Sequence, residues 1–285
     1  MEDTWKDRGQ YIAKKNQLIR QVRFDLSTTE QKIVLFLISK IKPTDTDLEP
    51  ITLKYKEFLQ LCGIDTEHSK NRNNIKNTLK KLADKSCWIK LPDDTETLFR
   101  WIEDPIITPR QRSITLRLKA ILKPYLLELH SYYTQYQLLY ILPLRSKFAI
   151  RLYELMKSCE SMGSATFPLN KLKELLNLSP ETFKTYADFR RYVIELAIRE
   201  INQHTDLEVT FNPIKKGKKV ESIEFQIKAK ENLAPTYQTL RETLDGEKPR
   251  ESDPRESHSE TSGAILSSSQ AQNTIYKQNQ DKIEK

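Results

Sequence analysis

One order of elements occurs twice in this chain, and that repetition constrains the fold more than anything in its composition. In the first copy, Ser27 and Thr28 precede Glu30 in a capping-type start. Apolar residues then stand at positions 33, 34, 37, 38 and 41, the spacing of one helix face, until Pro43 stops the run. A short strand at 51–53 leads into a helix at 55–61 that Gly63 can close. After a polar turn at 64–69, a longer helix over about 70–84 carries Ile75, Leu79 and Leu82 on one face. Strands at 87–91 and 98–107 flank a turn at 92–97, and 113–118 alternates as a further strand. Helix, strand, helix, turn, helix, hairpin is the order of a winged helix.

A helical connector near 119–129 separates this unit from the second. There a helix at 144–158 is followed by a strand at 166–168, a helix at 169–176 and a turn at 177–182. A long helix over 187–204 and a hairpin of 207–212 with 222–227 complete the set. The expected fold is therefore α+β, two tandem winged-helix domains. The expected divisions are an N-terminal extension (1–17), a first domain (18–130), a second domain (131–230) and a polar tail (231–285). The tail holds 7 Lys/Arg against 10 Asp/Glu and has only short apolar islands, so it is expected to be disordered. The whole chain carries a formal +8, so residues 1–230 alone carry +11. Such a basic ordered part suits nucleic acid or an anionic surface.

Other classes lose support from the same letters. The longest clean apolar run, 33–38, is six residues where a membrane helix needs roughly 20. The opening Met-Glu-Asp-Thr-Trp-Lys-Asp lacks the layout of a secretory signal. Three single cysteines argue against a disulfide framework or structural zinc, and a cytoplasmic location is expected. No glycine-rich phosphate loop occurs, and four scattered histidines offer no metal pair at helical spacing. Asp45 and Asp47 lie in a polar loop flanked by proline, and the tyrosines 132, 133, 136 and 140 suit an interdomain face better than a nucleophile. Neither an enzyme nor a cofactor is expected.

In a helix-turn-helix the second helix enters the major groove. The first such helix offers Lys70, Arg72, Asn73, Lys76, Asn77 and Lys80 on its polar side. Asn suits adenine edges, Arg guanine, and Lys phosphate. A solvated face reads the same way. The second helix opens with Lys184, Thr185, Tyr186, Arg190 and Arg191, and Lys171 on the preceding helix joins the set. Further along, Arg191, Glu195, Arg199 and Asn202 follow spacings that also suit intrahelical pairing. Lys215, Lys216, Lys218 and Lys219 surround Gly217 at a hairpin tip, where each charge can displace condensed counterions. An edge hairpin kept soluble by lysines is the competing reading. The first hairpin's tip, Pro92-Asp-Asp-Thr-Glu-Thr97, is acidic and should repel phosphate.

The segments Leu26-Ser-Thr-Thr-Glu-Gln-Lys-Ile-Val-Leu-Phe-Leu-Ile38 and Leu144-Arg-Ser-Lys-Phe-Ala-Ile-Arg-Leu-Tyr-Glu-Leu155 resemble the iteron-type plasmid replication initiators, the tandem winged-helix Rep family. Leu169-Asn-Lys-Leu-Lys-Glu-Leu-Leu176 and Tyr186-Ala-Asp-Phe-Arg-Arg-Tyr192 follow in the family's order. The resemblance spans about residues 18–229 and leaves out the tail. It implies binding of duplex DNA at direct repeats in an origin, melting of a neighbouring AT-rich segment, and recruitment of the host initiator and helicase. It also implies a monomer–dimer equilibrium through the first domain, with dimers repressing their own gene. Under it, the basic residues named above would dock the two modules, and the acidic first tip argues against a symmetrical grip. Two rivals stand beside it. A dual winged-helix transcription regulator would bind an operator without unwinding it, and a protein-interaction module would show no steep salt dependence on DNA.

Overall fold

The computed structural model describes residues 11–62, 71–90, 95–179 and 181–230. Residues 1–10 of the expected N-terminal extension, the predicted turn at 64–69, Gly63, Lys70, residues 92–94 of the acidic turn and the tail lie outside them. Two winged helices follow one another along the chain. The first opens with β1 (Tyr11–Lys15), α1 (Asn16–Gln21) and α2 (Thr28–Ser39). Ser27 caps α2 in a full capping box: its hydroxyl accepts from Glu30 N at 3.3 Å, and Glu30 Oε2 accepts from Ser27 N at 2.8 Å. Both orphan donors of the first turn are thereby satisfied.

Next come β2 (Ile51–Lys54), α3 (Tyr55–Leu61), α4 (Asn71–Asp84), β3 (Ser86–Lys90), β4 (Glu96–Arg100), β5 (Ile106–Thr108) and β6 (Ser113–Leu116). Ile33 and Leu37 of α2, Phe58 of α3, and Ile75, Leu79 and Leu82 of α4 are buried together with Ile114 and Leu116 of β6. Each such side chain contributes roughly 1.5–3 kcal/mol on leaving water, so the helical spacing read from the sequence is the spacing of a core.

The predicted single strand over 98–107 is two strands in two different sheets. β4 pairs with β3 alone, while β5 pairs with β6, which in turn pairs with β2. Pro105 stands between them and has no N–H to give a ladder, so one continuous strand is disfavoured there.

After α5 (Lys123–Leu126) comes β7 (Tyr133–Gln137), which runs antiparallel to β1 in a separate two-stranded ribbon. The second winged helix consists of α6 (Lys147–Lys157), β8 (Ser164–Pro168), α7 (Leu169–Leu175), α8 (Tyr186–Phe189), a π turn at Arg190–Ile194, α9 (Glu195–His204), β9 (Leu207–Lys216) and β10 (Lys219–Ala229). Its sheet order is β8-β10-β9, the same as β2-β6-β5 in the first. Tyr136 and Tyr140 are buried as the interdomain reading expects, whereas Tyr132 is fully at the surface. Among the described residues no helix is long and apolar enough to cross a membrane.

Candidate nucleic-acid interface

The second module presents its cations on a helix and a hairpin. β9 and β10 carry their ladder to Lys216 and Lys219, leaving a two-residue turn with Gly217 first, at φ +62°. That conformation favours glycine, and glycine at this position is what a tight hairpin asks. Lys215, Lys216, Lys218 and Lys219 are all exposed. Among the described residues only Lys216 has a nearby carboxylate, Glu221 at 3.6 Å, and both groups are largely solvated. The lysine tip is thus a projecting cluster of unburied charge.

The helix above it departs in part from expectation. Thr185 is the N-cap of α8: its hydroxyl accepts from Asp188 N at 3.1 Å and donates to Asp188 Oδ2 at 2.7 Å, so it is occupied locally. Tyr186 is a correction, because its ring packs on the core and its hydroxyl is buried rather than presented to a ligand. Burial pushes its phenol above the usual range. Arg190 is exposed but its Nε donates to Glu195 Oε1 at 2.7 Å. The π turn explains that partner, since i→i+5 winding brings residues five apart together. The pairing along Arg191, Glu195 and Arg199 read from α-helical spacing therefore gives way to Arg190–Glu195. Arg191 is exposed, its guanidinium 5.4 Å from the Tyr192 ring centre. Lys184 is exposed and 3.6 Å from Glu181. Lys171 is exposed and shares Glu174 with Arg23. Asn202 is structural, holding both the N–H and the carbonyl of Val209.

In the first module, Asn73, Lys76, Asn77 and Lys80 are exposed on α4, opposite the buried Ile75, Leu79 and Leu82. Arg72 belongs to the same helix. Lys70 lies outside the described residues.

The larger correction concerns the first wing. Matching sheet orders make β5–β6 the counterpart of β9–β10, because each is the hairpin whose second strand pairs with the strand before the helix-turn-helix. Its turn is Pro109-Arg-Gln-Arg112, a 3-10 turn with Arg112 at φ +48°, and Arg110, Gln111 and Arg112 are exposed. The acidic 92–97 turn belongs to the separate β3–β4 hairpin, whose outward face carries the exposed cross-strand pair Trp88 and Leu98. The objection to a symmetrical grip therefore falls away: both wings end in basic residues. The signal is in the sequence as Arg-Gln-Arg ahead of an alternating strand, but a single strand over 98–107 hides it. Among the described residues no group of three His, Cys, Asp or Glu side chains could hold a metal ion.

Comparison with known proteins gives these features a family. Residues 11–157 match the WH1 domain of initiator replication proteins, and residues 168–227 match the WH2 domain of initiator Rep proteins. Among solved structures, the chain is similar to the Pi initiator protein, crystallised in complex with iteron DNA. The two share 19% identity over 79% of this chain and 99% of that one, with a TM-score of 0.63. A slighter likeness is to the WH1 domain of MSBI1.176, a replication protein isolated from a multiple sclerosis patient. It shows 15% identity over 35% of this chain and 79% of that one, with a TM-score of 0.26. With its WH1 and WH2 domains matched in order, the chain belongs to the initiator replication protein family.

Proposed function

We propose that the protein initiates plasmid replication by binding direct repeats (iterons) of duplex DNA in an origin. The observation that carries this reading is the repeated unit itself: each winged helix bears a polar, cation-bearing second helix and a wing ending in exposed basic residues. The Pi initiator, of the same fold, was crystallised on iteron DNA. In this reading α4 and the start of α8 enter successive major grooves. Asn73, Asn77 and Arg191 face the base edges there. Lys76, Lys80, Lys171, Lys184, Lys215, Lys216, Lys218 and Lys219, with Arg110 and Arg112 of the first wing, hold phosphates. Arg190 reaches DNA by exchanging Glu195 for a base or phosphate. Binding then favours melting of adjacent AT-rich DNA and recruits the host initiator and helicase, while dimers formed through the first domain repress the protein's own gene. Such a protein works in the cytoplasm.

The test is footprinting across the DNA that surrounds the protein's own gene, over a salt series. Evenly spaced protected repeats, one or two helical turns apart, are the expected result. A single protected palindrome at the promoter would replace the reading with a transcription regulator, and no protection at any salt would refute both.

A further inference from the structure

The two winged helices meet at a buried cluster of charge. Arg151 is 4% exposed on α6, the helix that opens the second winged helix by topology and closes the stretch matched to WH1, and its guanidinium donates in two directions. Nη2 donates to Val22 O at 2.8 Å, in the chain between α1 and α2, and Nε donates to Leu175 O at 3.1 Å, at the end of α7. The guanidinium also lies 4.8 Å from the centre of the Phe24 ring. A single planar group thus ties a first-module carbonyl to a second-module carbonyl. Only arginine offers that rigid fork of donors.

Its counter-charge is Glu154, 1% exposed, at 3.8 Å from Arg151 Nη1. Glu154 Oε1 also meets the Lys14 ammonium from β1 and accepts from the Tyr136 hydroxyl of β7. Two cations and a phenol from three separate elements converge on one buried carboxylate. Burial pushes the Lys14 ammonium down while Glu154 opposes it, and burial with the nearby Glu154 charge keeps the Tyr136 phenol protonated. Around this centre run peripheral ties: Arg20 Nε to Ser158 Oγ at 3.1 Å, Lys147 to Asp25 at 3.0 Å, and Arg23 to Glu174 at 2.7 Å.

We propose that Arg151, held by Glu154 and Lys14, is the positioning residue that fixes the angle between the two winged helices and so sets which half-site spacing the protein accepts. The spacing clause rests on the function proposed above; the joint itself does not. A buried ionic network with directional partners specifies one arrangement, whereas apolar contact alone tolerates sliding. Each inserted base pair moves one half-site by about 3.4 Å and turns it by about 35°. A fixed joint cannot follow that motion.

The experiment reads the joint without DNA first. Spin labels at Asn77→Cys and Lys218→Cys, with Cys62→Ala, report the distance between α4 and the second wing. The unaltered joint is expected to give one narrow distribution. Arg151→Lys, which keeps the charge but loses the fork, and Lys14→Met are each expected to broaden it at least twofold. Arg23→Gln, which removes an exposed tie, is expected to leave it narrow. Should one joint variant fail to fold by circular dichroism, the other decides. A broad distribution in the unaltered protein, or joint variants as narrow as it, would overturn the proposal. With unlabelled protein, one or two base pairs inserted between half-sites should weaken binding roughly tenfold, but less than about threefold in Arg151→Lys. Equal losses in both proteins would remove the spacing role. Failure of the unaltered protein to bind any duplex would refute the function proposed above together with the spacing role, and the label distances would still decide the joint.

Discussion

Replacing Lys215, Lys216, Lys218 and Lys219 by glutamine should flatten the salt dependence of DNA binding by an amount set by the wing's geometry. All four ammonium groups are exposed at a projecting tip, and among the described residues none is committed to a close ion pair, Lys216–Glu221 being 3.6 Å apart and solvated. Each phosphate neutralised contributes about 0.9 to the slope of log K against log salt. Four contacts therefore contribute about 3.6, and between 50 and 200 mM salt they account for roughly two decades of lost affinity. Fluorescence anisotropy on one repeat and on a scrambled duplex measures both slopes. The variant's slope should be shallower by 3 to 4 on either duplex, in rough terms, because phosphate contacts carry no sequence information. Its melting temperature should stay within a few degrees, since substitutions at such exposed sites change stability by about 0.5 kcal/mol or less. An unchanged slope, or a loss confined to the repeat, would refute the clamp.

Four further outcomes are expected. Arg110→Gln with Arg112→Gln should lower the slope by about 2 in the same assay, and a null result would deny the first wing its contact. Arg191→Gln should cost more on the repeat than on scrambled duplex, by about 1–3 kcal/mol if its guanidinium reads a guanine, and equal losses would make it a phosphate contact. Ser27→Ala removes half of the α2 capping box and should lower stability by about 1 kcal/mol in urea titration, with DNA contacts untouched. Asp25 is exposed, and although partial desolvation by its neighbours would raise its pKa, the Lys147 ammonium bonded at 3.0 Å holds it below the usual carboxylate range. Its contribution is therefore fully present above pH about 4 and lost as pH falls through the depressed value. Melts of Asp25→Asn and the unaltered protein should converge below that pH, and a gap that widens there would reverse the sign.

The elements that were legible in the sequence are those whose reasons are local. The Ser27–Glu30 box, the buried faces of α2 and α4, and the Gly217 turn each announce themselves within a few residues. What was not legible depends on partners far away. β1 is hidden in the sequence because Lys14 occupies an inward position, so Tyr11–Lys15 reads as polar until Glu154 faces it. The first wing is not legible in a single strand over 98–107, because Pro105 divides that stretch between two sheets and only the pairing shows which hairpin is the wing. Tyr186 stands in the opening of the second recognition helix, and only packing shows its hydroxyl turned inward. The π turn changed which carboxylate Arg190 meets, and no periodicity based on 3.6 residues could have given that pairing.

The β1–β7 ribbon also imposes an order of events on synthesis. Asn16 and Thr134, bonded at its end, are 118 residues apart in the chain. At a translation rate of about 5–20 residues per second, β1 waits roughly 6–24 s for its partner strand. The Lys14 ammonium waits longer still, because Glu154 follows β7. The first winged helix has all its strands by Leu116 and can close during that interval, so the joint is completed on a preformed first module. The angle between the modules is in this sense a late product of translation, cast once α6 emerges and docks against a surface already in place.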